Sequence, residues 1–179
     1  REFMLERMKI LLNRLEAWCE KNESILEIQV NDWAMAEMIK EKSLLIPVLG
    51  ILLNKRRKDP RLHYKLETMT QTGAEASGKF LEENSLNAGF YREYLEKEYG
   101  IARFEWESCG YDMAFPVGKN SLHLPFYQTN TSQYCTLYAK CTTGERGKQK
   151  LVKQCQGFCK DYAFLYPDHL KMVGRYNSL

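Results

Sequence analysis

No apolar run in this sequence approaches the roughly 20 residues that a helix needs to cross a bilayer. The longest, LLIPVLGILL from Leu44 to Leu53, is broken by Pro47 and Gly50. There is no initiator Met, no secretory hydrophobic region and no transit peptide. The expectation is a soluble, cytoplasmic protein with no membrane partner. The ends also lack punctuation, since Arg1 lies inside a helical pattern and Leu179 follows no capping signal, as in a portion of a longer protein. Neither sign of charge predominates: the net charge is +3, which settles nothing about nucleic acid until the basic residues are placed. Paired C-x2-C knuckles, common in structural zinc sites, are missing as well.

What is present is enough for one globular unit, at 179 residues and 44% hydrophobic content. The stretch FMLERMKILLNRLEAWCEKN spaces Met4, Met8, Leu11, Leu12, Leu15 and Trp18 by threes and fours, which predicts an amphipathic helix with Cys19 as a small buried residue. ILEIQV (25–30) reads as a strand, Asp32 as the N-cap of a helix over WAMAEMIKEK, and LLIPVLG (44–50) as a strand buried on both faces. Strand, helix and strand in succession predict a parallel sheet with crossover helices.

Lys55 to Lys65 then carries six basic residues against the single acid Asp59. A solvated loop accounts for such a run, but loops at the carboxyl ends of parallel strands also carry binding groups, and guanidinium and ammonium groups there suit phosphate. Lys55, Arg56, Arg57, Lys58 and Arg61 are therefore candidate anion-binding residues. Residues 67–83 read as a loop and Asn87 to Gly100 as a helix with Gly100 at its C-cap. IARFEWES has the period of a strand, with Arg103, Glu105 and Glu107 on one side and Phe104 and Trp106 on the other. That charged side is either the wet face of an edge strand or the polar lining of a barrel mouth. SLHLPFYQ (121–128) is the fourth strand, irregular or at an edge because of Pro125. Its His123 is either a hydrogen-bonded core residue or a base. Glu105, Glu107 and His123 are the candidate catalytic groups.

Four of the six cysteines fall at Cys135, Cys141, Cys155 and Cys159, spaced C-x5-C-x13-C-x3-C. Four thiolates hold tetrahedral zinc or an iron–sulfur cluster. Lys140, Arg146, Lys148, Lys150, Lys153 and Lys160 surround them against the lone acid Glu145, and cationic surroundings favour thiolate. Wide, irregular spacing suits a cluster better than zinc. Disulfides rank last, for want of evidence of an oxidising compartment.

The segments YCTLYAKC, QCQGFCKDYAFLYPDHL and MVGRYNS, preceded by VNDWAMAEMIKE and VLGILLNKRRKDPR, resemble the peptidase U32 family over residues 25–179. The resemblance implies a four-iron, four-sulfur (4Fe-4S) cluster held by four cysteines. It also implies oxygen-independent hydroxylation of RNA or of quinone precursors, rather than proteolysis. Cys141, Cys155 and Cys159 match the closely spaced ligands; Cys135 is the fourth by proximity, with Cys19 and Cys109 as alternatives. The fold expected is α/β, a partial or complete TIM-like barrel. Residues 1–130 would form a barrel-like region, and 131–179 a cysteine-rich, cluster-binding segment of the same domain. The partners expected are an anionic substrate or RNA, and a partner subunit or the remainder of the barrel. Two further readings stand beside this one: a zinc-stabilised, non-enzymatic RNA-binding module using Lys148, Lys150 and Lys153, and a purely structural domain.

Overall fold

The apolar period at the start of the chain forms helix α1, Glu2–Lys21, in a computed structural model that describes residues 2–56, 83–108, 113–124, 134–148, 151–152, 154–170 and 172–175. Strand β1 (Leu26–Val30) leads to helix α2 (Trp33–Lys40), and strand β2 (Leu45–Leu49) follows. Asp32 caps α2, its carboxylate accepting from Met35 N at 2.9 Å. After a single 3-10 turn at Ser85–Asn87 come helix α3 (Gly89–Tyr99), strand β3 (Arg103–Glu107) and strand β4 (Lys119–His123). Gly100 ends α3 in the left-handed conformation at φ 69°, where a side chain would be strained.

The chain divides into two units. One comprises Arg1–Arg57, Glu82–Trp106 and Met113–His123; the other comprises Lys58–Leu81, Glu107–Asp112 and Leu124–Leu179. In the first, the strands form one sheet in the order β1-β2-β3-β4. β1 and β2 run parallel from Leu26–Leu45 to Val30–Leu49, and β2 is parallel to β3 through Leu49–Phe104. Pro47, which has no N–H to give a neighbour, precedes the point where β2 meets β3. The protein is thus of mixed α/β class, with helices packed on the sheet.

One face of this sheet is the core. Leu26, Ile28 and Val30 from β1, Leu45 and Leu49 from β2, and Phe104 and Trp106 from β3 pack with Leu12, Cys19, Ala36, Ile39, Leu86 and Leu95 from the helical segments. Cys19 is fully buried there. Complete burial of a side chain such as Leu95 contributes about 1.5–3 kcal/mol. α1 is tied to the turn between α2 and β2 by Glu16, which accepts from Lys42 Nζ at 2.9 Å and from Ser43 N at 3.0 Å. The Lys42 ammonium holds the Glu16 carboxyl below its ordinary value. α2 meets α3 through the Lys40–Glu98 ion pair and the Trp33–Tyr99 ring contact, with centroids 5.4 Å apart. The hydrogen bond between Tyr94 and Tyr99 pushes the Tyr99 phenol up to about 12.

The second unit contains helix α4 (Thr136–Thr143), 3-10 turns at Phe158–Lys160 and Asp168–Leu170, and the antiparallel pair β5 (Phe164–Leu165) and β6 (Val173–Gly174). α4 packs on the Phe158–Lys160 turn, with the Tyr138 and Phe158 rings 6.4 Å apart. Gly144 closes α4 in the left-handed conformation. No described helix is long and apolar enough to cross a membrane.

Candidate functional site

Alternation along the strands puts every second side chain on the face away from the helices. In β3 these are Arg103 and Glu105, whereas Phe104 and Trp106 enter the core. The Arg103 guanidinium reaches across the sheet to the Glu27 carboxylate on β1, and donates a second bond to Ser121 Oγ on β4 at 2.7 Å. Its Nε lies 3.9 Å from one carboxylate oxygen of Glu105. The other Glu105 oxygen is hydrogen-bonded to His123 Nε2 on β4. Glu27, Arg103, Glu105, Ser121 and His123 therefore form one connected polar ladder.

Within this ladder the burial is unequal. The Glu105 side chain is only 11% exposed, whereas that of His123 is 58% exposed. The carboxylate is fixed from both sides and the imidazole stands out from it. His123 is therefore not a core residue; it is the accessible end of a pair whose other member is buried. With Nε2 engaged by Glu105, Nδ1 is the nitrogen left to exchange a proton, the arrangement in which a carboxylate sets an imidazole's orientation and tautomer. β4 begins at Lys119, two residues before the predicted Ser121, and Ser121 and His123, two residues apart, share the sheet face that carries Arg103 and Glu105. The remaining predicted acid, Glu107, is buried at the end of β3 and belongs to the second unit.

At the carboxyl end of β2, Gly50 N donates to Val30 O at 2.8 Å, and Asn31 Oδ1 accepts from Leu52 N at 3.1 Å. The tight corner leads to Asn54, which is buried and donates to the Glu105 carbonyl at 3.4 Å, while its own Oδ1 has no hydrogen-bond partner among the described residues. Lys55 is bound into the scaffold: its ammonium donates to Leu52 O at 3.0 Å and its backbone exchanges bonds with Ser85. Arg56 pairs with Asn84 in a β-bridge and directs its guanidinium at Met113 Sδ, 3.3 Å away. Arg57, Lys58 and Arg61 lie outside the described residues, as does most of the predicted loop at 67–83.

In the second unit Cys135 is the N-cap of α4, its sulfur 3.4 Å from Tyr138 N. Cys141 is exposed near the end of the same helix, Cys159 is half-buried in the turn packed against it, and Cys155 is exposed just before that turn. All four are free thiols. As donors they suit a thiophilic metal or cluster, yet among the described residues no three His, Cys, Asp or Glu side chains gather closely enough to hold a metal ion. Of the alternative ligands, Cys19 is enclosed in the core and Cys109 lies outside the described residues. Arg146 covers the Phe164 ring at 4.7 Å, and Lys148 pairs with Glu145 at 2.8 Å. Lys150 and Lys153 are not described.

Sequence reasoning missed Glu27, Ser121 and Asn54. Glu27 carried a signal, a lone carboxylate inside the apolar ILEIQV run, whereas Ser121 and Asn54 acquire meaning only from their neighbours across the sheet. Compared with protein-family models, with curated proteins and with solved structures, the chain matches none.

Proposed function

We propose that this chain is an iron–sulfur-cluster-binding protein of the U32 peptidase-like type, built on a partial or complete TIM-like barrel and acting on an anionic substrate such as RNA. The observation that supports the reading is the spacing of the four cysteines in the sequence, of which Cys135 caps α4, Cys141 lies in it and Cys159 lies in the turn that packs on it. Cys135, Cys141, Cys155 and Cys159 would hold the group, with Cys135 the fourth ligand by its proximity in sequence to the other three. A bound cluster would supply one-electron chemistry.

The chain's own residues account for the rest. Glu105 orients His123 through Nε2, which leaves Nδ1 as the nitrogen that takes up and returns a proton at the sheet face. Arg103, held by Glu27 and Ser121, keeps the Glu105 carboxylate in place. Lys55, Arg56, Arg57, Lys58 and Arg61 supply the positive charge that attracts an anion.

Anaerobic purification followed by a visible spectrum and analysis for iron, sulfide and zinc tests this. The expected result is a brown protein containing iron and sulfide, with occupancy lost in each of Cys135→Ser, Cys141→Ser, Cys155→Ser and Cys159→Ser. A colourless protein carrying one zinc would overturn the proposal, and loss of the cluster in Cys109→Ser but not Cys135→Ser would overturn the fourth ligand.

A further inference from the structure

Helix α1 has more apolar surface than its own sheet covers. Leu12 and Cys19 are buried against the core. At about 100° per residue, Met4, Leu11 and Trp18 form a strip a quarter-turn away, and they are 44%, 46% and 50% exposed. With half-buried Met8 and Leu15 between the two strips, the order Met4, Met8, Leu11, Leu15, Trp18 has the alternating four-and-three spacing of a helix–helix seam. The opposite flank of α1 is occupied, because Asn13 and Glu16 there bind Lys42 and Ser43 in the turn between α2 and β2. The exposed strip therefore lies on the flank away from these bonds.

A row of positive charge borders the strip. Arg7, Arg14 and Lys21 are also seven residues apart. The positions three and four residues from them hold Phe3, Met4, Ile10, Leu11, Ala17, Trp18, Ser24 and Ile25, so no carboxylate on the helix neutralises them. Among the described residues none of the three has an ion pair, although Lys9 is paired with Glu6 and Lys42 with Glu16. Two copies of the chain joined antiparallel across this face would set one basic row against the other, which costs affinity.

We infer that this face of α1 docks an amphipathic helix of a different protein, one whose apolar seam is bordered by a row of Asp or Glu. Met4, Leu11 and Trp18 interdigitate with the seam, and Arg7, Arg14 and Lys21 select the acidic border. The inference does not depend on the cysteine-bearing unit.

The test uses two labelled helical peptides with the same leucine seam, one bordered by Glu and one by Lys, titrated against the full chain by fluorescence anisotropy. The Glu peptide is expected to bind at least about tenfold more tightly than the Lys peptide. The double substitution Arg7→Glu and Arg14→Glu should reverse that preference, and Leu11→Lys should abolish binding of both while circular dichroism stays unchanged. Equal binding of the two peptides, or binding of neither, overturns the inference. So does a wild-type dimer in sedimentation that Leu11→Lys dissolves, which would make a second copy the occupant. Preference for phosphatidylserine vesicles over the Glu peptide, lost in the same variants, would overturn it in favour of a membrane surface.

Discussion

Replacing Gly50 by alanine tests the corner that launches the basic segment. A Cβ at this position would lie 2.2 Å from Asn31 Oδ1 and 2.6 Å from the Val30 carbonyl oxygen. The Asn31 side chain can rotate away, but only by giving up its bond from Leu52 N, a loss of about 1 kcal/mol. The Val30 carbonyl cannot, because it belongs to β1 and accepts from Gly50 N at 2.8 Å. The ends of β1 and β2 must therefore separate, an overpacking cost of about 1–3 kcal/mol, and the total is about 2–4 kcal/mol. Urea denaturation of wild type, Gly50→Ala, Asn31→Ala and the double variant measures it. Asn31→Ala should cost less in the Gly50→Ala background than in wild type, since the clash will already have displaced the amide, with a coupling above about 0.5 kcal/mol. A Gly50→Ala protein within about 0.5 kcal/mol of wild type, or strict additivity, would refute the reasoning.

Other substitutions probe the remaining contacts. Glu16 has a lowered pKa in the folded state, chiefly through its hydrogen bond from Lys42. Its contribution is therefore present above the unfolded value and disappears as pH falls through the folded one. Glu16→Gln should lower stability by up to about 1 kcal/mol at neutral pH and flatten the loss on acidification below the ordinary value of 4.5, as read from thermal unfolding at a series of pH values. Trp106→Phe keeps an aromatic ring in the core but removes the Nε1 donor to Asn120 Oδ1 at 2.8 Å, and denaturant titration should show a loss of about 1 kcal/mol. In the ladder, Glu105→Gln should release His123 from its Nε2–H tautomer, which nitrogen chemical shifts of the imidazole report. An unchanged tautomer would show that the carboxylate does not orient the ring.

The backbone of the first unit was legible because its signals are local. The spacing in α1, the Asp32 cap, the apolar residues of β2 and Gly100 after α3 each act within a few residues. β3 was readable as a strand with one charged and one apolar side, yet its surroundings were not. Arg103 takes its partners from Glu27, 76 residues away, and Ser121, 18 residues away, and no periodicity encodes which strand lies next to which. The same limit explains His123, whose apolar neighbours in SLHLP suggested a core position, although the imidazole turns outward to meet Glu105. In the cysteine segment, spacing revealed four thiols and a basic loop. It could not reveal that Cys135 caps a helix or that Cys159 sits in the turn packed on that helix.

The two faces of the sheet bear on function differently. The helix-packed face holds Cys19, Phe104 and Trp106 and accounts for cohesion through apolar burial. The other face places Arg103, Glu105 and Glu27 within reach of one another, and a buried carboxylate such as Glu105 is costly unless its oxygens are engaged. One is hydrogen-bonded to His123, and the other faces the Arg103 guanidinium at the longer ion-pair distance of 3.9 Å. A merely solvated strand face would leave such groups well exposed and unlinked, whereas here the ladder is organised around one shielded carboxylate and ends in an accessible imidazole. Truncating His123 to Ala would leave that carboxylate with Arg103 as its remaining partner, at a cost of about 1–3 kcal/mol. Truncating Ser121 removes one of the bonds that aim Arg103 and should cost less. If denaturation ranked them the other way, the ladder would be an Arg103 anchor for the sheet, and the proton-handling role of His123 would lose its structural basis.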